Sequence, residues 1–246
     1  MSAITTEKTI GELAAEYPAV TRILEELGID YCCGGNNTLE QACRRAGLPL
    51  QPVEDALRRA VETVPCQARE RDWSAAPLAD LIAHIKSTHH EFTRGEIARI
   101  GPLFEKICSV HGKNHPELAP MRLTFCNLAQ ELSMHLMKEE MMLFPYIERM
   151  EEAVLEESPI LPAPFGTVRN PVAMMMQEHD GAGEALREMR SASSGYTAPP
   201  DACASFRTLY QALATFEADL HQHIHLENNI LFPRALEMER AGQRRP

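Results

Sequence analysis

Apolar and polar positions repeat with a helical period along most of the chain, and no two-residue alternation of the strand kind stands out. In the first part the signals are short. Thr9-Ile10-Gly11-Glu12 has the form of a capping box, in which the Thr and Glu side chains each satisfy an orphan backbone N–H. It predicts a helix through about Glu16. Pro18, where a missing N–H costs nothing, opens a second helix over Ala19 to Leu27, and Gly28 suits its C-cap. Thr38-Leu39-Glu40-Gln41 is a second capping box, with its helix ending at Gly47. Pro52 opens a fourth helix through about Val64. Between Pro65 and Pro77 the periodicity fails. The expected organisation is a small helical domain over 1–65, a linker over 66–76 and a larger domain over 77–246.

The larger domain reads as four long helices. The first starts near Pro77 and carries Leu78, Leu81, Ile82, Ile85 and Phe92; Gly101-Pro102 should break or bend it. The second runs from about Pro120 to Met150 with Phe125, Leu128, Leu132 and Met142 on its apolar stripe. A proline-bearing loop follows from Ser158 to Pro171. The third helix carries Val172, Met175, Ala182, Leu186 and Met189 on one face, and Ser191 to Pro200 is a loop. The fourth carries Leu213, Phe216, Leu220 and Ile230. The expected fold is all-α: an up-down-up-down four-helix bundle behind a small helical domain.

Composition narrows the function. Of 246 residues 44% are apolar, enough for a sizeable core. The net charge of −11 argues against a nucleic-acid partner, which would call for a basic patch. No run of about 18 apolar residues is present, so no membrane span is expected. The N-terminal stretch lacks a charged-then-apolar signal pattern, and a cytoplasmic protein is the expectation. Seven cysteines are an odd number for a disulfide framework. Cys43, Cys66, Cys108, Cys126 and Cys203 read as small buried hydrophobes.

The second and fourth helices contain the same phrase. His135 to Pro145 and His223 to Pro233 both read His-x3-Glu-x3-Leu-Phe-Pro. Residues four apart share a helix face. His135 with Glu139, and His223 with Glu227, therefore each present an imidazole beside a carboxylate, on the apolar stripes. Those stripes carry no Lys or Arg, and a carboxylate buried without a compensating cation costs on the order of several kcal/mol. Two such carboxylates would approach a domain's whole stability of about 5–15 kcal/mol. Bound metal cations remove that penalty. Nitrogen and carboxylate donors spread over four helices suit iron, manganese or zinc. Two divalent ions against two carboxylates leave positive charge for an oxide, hydroxide or other anion to balance. The pattern is richer in histidine than the Glu-x-x-His of ferritin-like proteins.

The other two helices each carry a histidine followed by an acid, His90-Glu91 and His179-Asp180. The separation from His90 to His135 nearly equals that from His179 to His223, as expected of a duplicated helix pair. The first helix leaves a choice. Strict periodicity with Leu78, Leu81, Ile85 and Phe92 selects His89; comparison of the two halves selects His90; His84 meets neither criterion. His111, His115, His221 and His225 read as surface or loop histidines.

Asp30-Tyr31-Cys32-Cys33-Gly34-Gly35-Asn36-Asn37-Thr38 lies between two short helices. Adjacent cysteines can form only a strained disulfide, so two thiols are expected. Near the N-terminus of the following helix a thiolate would gain from the helix dipole. Two readings stand side by side: redox or transient metal transfer by Cys32 and Cys33, or a glycine turn with two packed thiols.

These residues together resemble the iron–sulfur cluster repair di-iron proteins, also called the repair of iron centres family. The resemblance includes Asp30 to Gly35, Asp72-Trp73, Ala76-Pro77-Leu78, His135 to Pro145, Glu178-His179-Asp180 and His223 to Arg234. It implies a hemerythrin-like bundle holding two non-haem irons, with an oxo or hydroxo bridge. It carries over His90, His135, Glu139, His179, His223 and Glu227 as ligands, with Glu139 and Glu227 bridging. It implies repair of clusters damaged by nitric oxide or oxidants, with damaged iron–sulfur proteins as partners and nitric oxide or dioxygen as small ligands. Reduction of nitric oxide is a linked activity, and a homodimer the expected assembly. An oxygen or nitric oxide sensor or carrier of hemerythrin type is the alternative.

Overall fold

The computed structural model describes residues 8–63 and 71–242. No β-strand occurs among them. Four short helices precede four long ones, as the periodicity predicts. The short helices are Ile10–Glu16, Ala19–Glu26, Leu39–Ala46 and Leu50–Thr63. Thr9 and Thr38 both make complete capping boxes, with Glu12 and Gln41 reaching back to the cap N–H. Gly28 and Gly47 have φ of 66° and 68°, the left-handed region that favours glycine at a helix end. The fourth helix starts before Pro52, which then lies in its first turn where no N–H is required.

Each of three long helices contains a π-helical turn. The first comprises Leu78–His84, Ile85–His90 and Glu91–His111; the second Leu118–Lys138, Glu139–Leu143 and Phe144–Leu155. The third is Arg169–Ala192, and the fourth comprises Ala204–Leu226, Glu227–Leu231 and Phe232–Gly242. The middle segments are π-helical. The expected break at Gly101-Pro102 is absent, and the helix runs through Pro102. Proline loses one backbone hydrogen bond there. Ile100, Phe104 and Ile107, all buried on one face, supply the offsetting apolar burial. The loop expected over Ser158 to Pro171 ends earlier, and Pro171 sits in the first turn of the third helix.

The described residues fall into two compact units. One contains the described residues of 8–82, together with 147–162 and 221–242; the other contains 83–146 and 163–220. The expected linker, 66–76, lies partly outside the described residues, as does Cys66.

In the first unit the short helices enclose their own core of Ile10, Leu13, Leu24, Tyr31, Leu39 and Leu57. Helix Ile10–Glu16 also packs against the π-turn Glu227–Leu231. Asn229 donates to the Tyr31 carbonyl at 3.1 Å, and Asn228 donates to the Cys32 carbonyl at 3.4 Å. Gln222 donates to the Tyr31 hydroxyl at 2.7 Å. Glu151 accepts from the backbone N–H groups of Leu78 and Ala79 at 2.6 and 2.8 Å, placing a carboxylate at a helix N-terminus where the dipole favours it.

In the second unit, Glu91–His111 packs on Leu118–Lys138, and the latter on Arg169–Ala192. The turn between the first pair is short, so the two run antiparallel. Phe104, Phe125 and Phe216 form an aromatic cluster, the first pair tilted and the second edge-to-face, with centroids 5.5 and 5.9 Å apart.

Candidate metal centre

The π-turns decide which side chains reach the interior. A π-helix bonds i to i+5, so its turn holds about one residue more than an α-turn. Over Ile85–His90 this moves the buried stripe on by one position. Ile85 and His90 are both fully buried, and the stripe continues through Thr93 while Phe92 is only half-buried. Phe92 is therefore corrected as a core position. The same shift over Glu139–Leu143 corrects Met142, which is 51% exposed, in favour of Leu143 at 1%.

In the second unit four sequence-predicted residues come together. His90 Nε2 lies 3.5 Å from Glu139 Oε2, and His135 Nε2 lies 3.4 Å from Glu139 Oε1. His179 Nε2 faces His135 Nε2 at 3.1 Å. All four side chains are buried. His89, selected by strict periodicity, is instead 3.0 Å from Asp219 through its Nδ1. In the first unit the second copy of the repeat behaves alike: His223 Nε2 lies 3.1 Å from Glu227 Oε1, and both residues are fully buried.

These separations fit metal ligation. Two donors each about 2.1 Å from one ion lie roughly 3.0–3.4 Å apart at right or tetrahedral angles. The donors are imidazole nitrogens and carboxylate oxygens, the set that suits first-row transition metals. The buried histidine and glutamate groups thus suit a metal site.

Outer partners fix the imidazoles. His135 Nδ1 donates to Glu178 Oε2 at 2.8 Å, and Lys138 donates to the other Glu178 oxygen. His90 Nδ1 donates to Glu140 Oε1 at 2.7 Å, and Arg94 reaches the same oxygen at 2.9 Å. The His90 ring also stacks on Phe144, with centroids 5.6 Å apart and planes 21° apart. Hydrogen bonds from His90 and Arg94 lower the Glu140 pKa against its burial, and those from Lys138 and His135 do the same for Glu178. Sequence reasoning assigned no role to Glu140, Glu178, Arg94 or Lys138. The available signal was adjacency: Glu140 follows Glu139, and Glu178 precedes His179.

A groove of about 640 Å³ between the second and third long helices reaches His135 and His179, with Glu131, Lys138, Glu178 and Met174 on its walls. It gives a small ligand a route to those two imidazoles.

The remaining histidines and cysteines divide. His225, expected at the surface, is 2% exposed in the first unit, and burial pushes its pKa down to about 4. Its ring packs edge-on to Tyr31, and its Nδ1 lies 2.9 Å from the Asn229 amide nitrogen. His221 is half-buried beside Glu25 at 2.8 Å. His111 and His115 are half-buried near the end of the first long helix. Of the cysteines expected in the core, Cys43 is buried and Cys108 half-buried, but Cys126 and Cys203 are exposed.

Cys32 and Cys33 hold their sulfurs 3.9 Å apart, beyond disulfide bonding distance. Asp30 Oδ1 accepts from the backbone N–H of Cys33 and of Gly34, each at 3.0 Å, and tightens the turn. Of the two readings of this turn, the packed-thiol one describes Cys32 as it stands here, 4% exposed. Its pKa stands well above the usual thiol range, first through its hydrogen bond with Cys33 and then through burial.

No helix of the described residues is long and apolar enough to cross a membrane. Residues 80–235 match the family model of the Hemerythrin HHE cation binding domain, and residues 6–61 match the Domain of Unknown function (DUF542). The Iron-sulfur cluster repair protein YtfE of Musicola paradisiaca is 36% identical over 236 residues, covering 95% of this chain and 98% of the relative. The protein of that name from Citrobacter koseri is 34% identical, covering 94% and 97%. The Probable iron-sulfur cluster repair protein of Haemophilus influenzae is also 34% identical, with the same coverage. The likeness runs almost from end to end and takes in the regions matched by both family models, so the chain belongs to the iron–sulfur cluster repair family, with a hemerythrin-type cation-binding domain over most of its length.

Proposed function

We propose that this protein repairs iron–sulfur clusters damaged by nitrosative or oxidative stress, and that a di-iron centre is its working part. The ligands in this reading are His90, His135, Glu139, His179, His223 and Glu227, with Glu139 and Glu227 bridging. The observation that carries it is the approach of His90 and His135 to the fully buried Glu139, with His179 against His135 and within 4.8 Å of Glu139. The matching buried pair His223 and Glu227, in the second copy of the repeat, supports the remaining two ligands.

Two irons bound there would supply electrons and an attachment point for nitric oxide or dioxygen. The chain's own residues do the rest. Glu178 and Glu140 hold His135 and His90 with Nδ1 protonated, which leaves Nε2 as the donor nitrogen. Phe144, fully buried and stacked on the His90 ring, keeps bulk water from that face of the imidazole. The groove gives small ligands access to His135 and His179.

Cys32 and Cys33 belong to this reading as a relay for iron. With Asp30 they place three donor atoms within 4.8 Å of one another. Damaged iron–sulfur proteins are the partners, the cytoplasm is the compartment, and a homodimer is the assembly. The sensor or carrier alternative is the one the relatives do not favour.

The test loads the protein with iron and adds a nitrosylated cluster enzyme. Recovery of that enzyme's activity in proportion to iron supplied is expected, and no recovery would sink the repair reading. Headspace analysis for nitrous oxide during the same incubation decides whether nitric oxide is also reduced.

A further inference from the structure

The residue after each repeat's glutamate has diverged. In the first copy it is Glu140 and in the second Asn228. Asn228 turns to the Cys32 carbonyl and serves the cysteine turn. Glu140 turns instead to the first long helix. Its Oε1 receives His90 Nδ1 at 2.7 Å and Arg94 at 2.9 Å. Arg94 lies four residues after His90, so both project toward the second helix from neighbouring turns. Glu140 can reach them because the π-turn beginning at Glu139 places two successive glutamates where one points inward and the other crosses to the adjacent helix. Glu139 is fully buried, whereas the Glu140 side chain keeps 24% exposure.

We propose that Glu140 is a positioning residue for metal binding: it holds the His90 imidazole in the Nδ1–H tautomer and aims Nε2 at the ion, with Arg94 holding the carboxylate in place. Carboxylates that accept from a ligating histidine orient the ring and raise its basicity, and their loss typically costs 10–100-fold in metal affinity. Phe144 stacking alone fixes the ring plane but leaves the ring free to flip within it. The carboxylate contact removes that freedom. The proposal rests on the ligand assignment of His90.

The experiment compares the full-length wild type with Glu140→Ala, Glu140→Gln and Arg94→Met, using cobalt(II) and iron(II) as metal probes against a competing chelator. Glu140→Ala is expected to weaken one of the two bound ions by 10–100-fold, leave the other near its wild-type affinity, and change the cobalt ligand-field bands. Glu140→Gln, which still accepts a hydrogen bond, should recover much of that affinity. Arg94→Met should give a smaller loss. Apo-protein melting temperatures show whether any variant has merely lost stability. Unchanged affinity and cobalt spectrum in a folded Glu140→Ala protein would overturn the proposal. His90→Ala serves as the separate control: two tightly held ions in that variant would overturn the ligand reading itself. Loss in His90→Ala without loss in Glu140→Ala would overturn only the positioning role.

Discussion

His135 and Glu178 are joined through Nδ1 and Oε2 at 2.8 Å, and this contact leaves His135 Nε2 facing Glu139. The first residue comes from the second long helix and the second from the third. Orientation of a candidate ligand on one helix thus depends on a neighbouring helix. The same holds for His90 and Glu140.

Removing either bridging candidate should remove metal without unfolding the bundle. Glu139→Ala and Glu227→Ala are each expected to purify with fewer than two irons per chain. Far-ultraviolet circular dichroism should show unchanged helix content. Two irons retained in both variants would exclude them as bridges.

The first-helix choice is directly measurable. His90→Ala should lose iron, and His89→Ala should keep it. His89 contacts Asp219 through one hydrogen bond at 3.0 Å, and loss of that bond should cost about 1 kcal/mol of stability. Iron content together with denaturant melts separates the two variants.

His115 gives a pH prediction away from the candidate metal ligands. Asp201 beside it, at 3.1 Å, raises its pKa above the ordinary 6.5, with Glu117 adding to the effect. A histidine raised in the folded state contributes stability below the unfolded value of about 6.5 and loses it as pH rises through the folded value. Asp201 is lowered by the same contact, so its contribution is present above the unfolded value and lost as pH falls through the folded one. The pair therefore contributes most between those two limits. Nuclear magnetic resonance titration should find the His115 midpoint above 6.5 in the wild type and lower in Asp201→Asn.

The cysteine turn should be sensitive to a single methyl group. A Cβ on Gly35 would collide with the Asn229 carboxamide, the same side chain that holds the Tyr31 carbonyl. Gly35→Ala should destabilise the protein by about 1–3 kcal/mol, the usual cost of overpacking. Thermal melts check this. An unchanged melting temperature would mean that Asn229 gives way without cost.

Thiol reactivity should rank by exposure and pKa. Alkylation at neutral pH should modify Cys126 and Cys203 well before Cys32, which is buried and held as a thiol. Peptide mass spectrometry after timed labelling gives the order.

Much of this protein is written locally in its sequence. Thr9 and Thr38 with their partners three residues on, and Gly28 and Gly47 at helix ends, act through neighbouring backbone groups, so their effects could be read before any fold was known. The paired His-x3-Glu is equally local, since four residues along a helix return to one face whatever surrounds it. The sequence by itself therefore determined the helices, the histidine–carboxylate pairs and the kind of metal chemistry they can support. Only the tertiary structure decided the phase. A π-turn has poor intrinsic stability and exists where packing on its neighbours rewards the extra residue. For that reason Leu143 replaces Met142 and Thr93 replaces Phe92 on the buried stripes, and His89 and His90 are both buried but turned to different partners, Asp219 and Glu140. The partners Glu140 and Glu178, and the burial of His225 beneath Tyr31, were also decided there. Each depends on residues far apart in the chain, and no local pattern encodes which helix will lie beside which side chain.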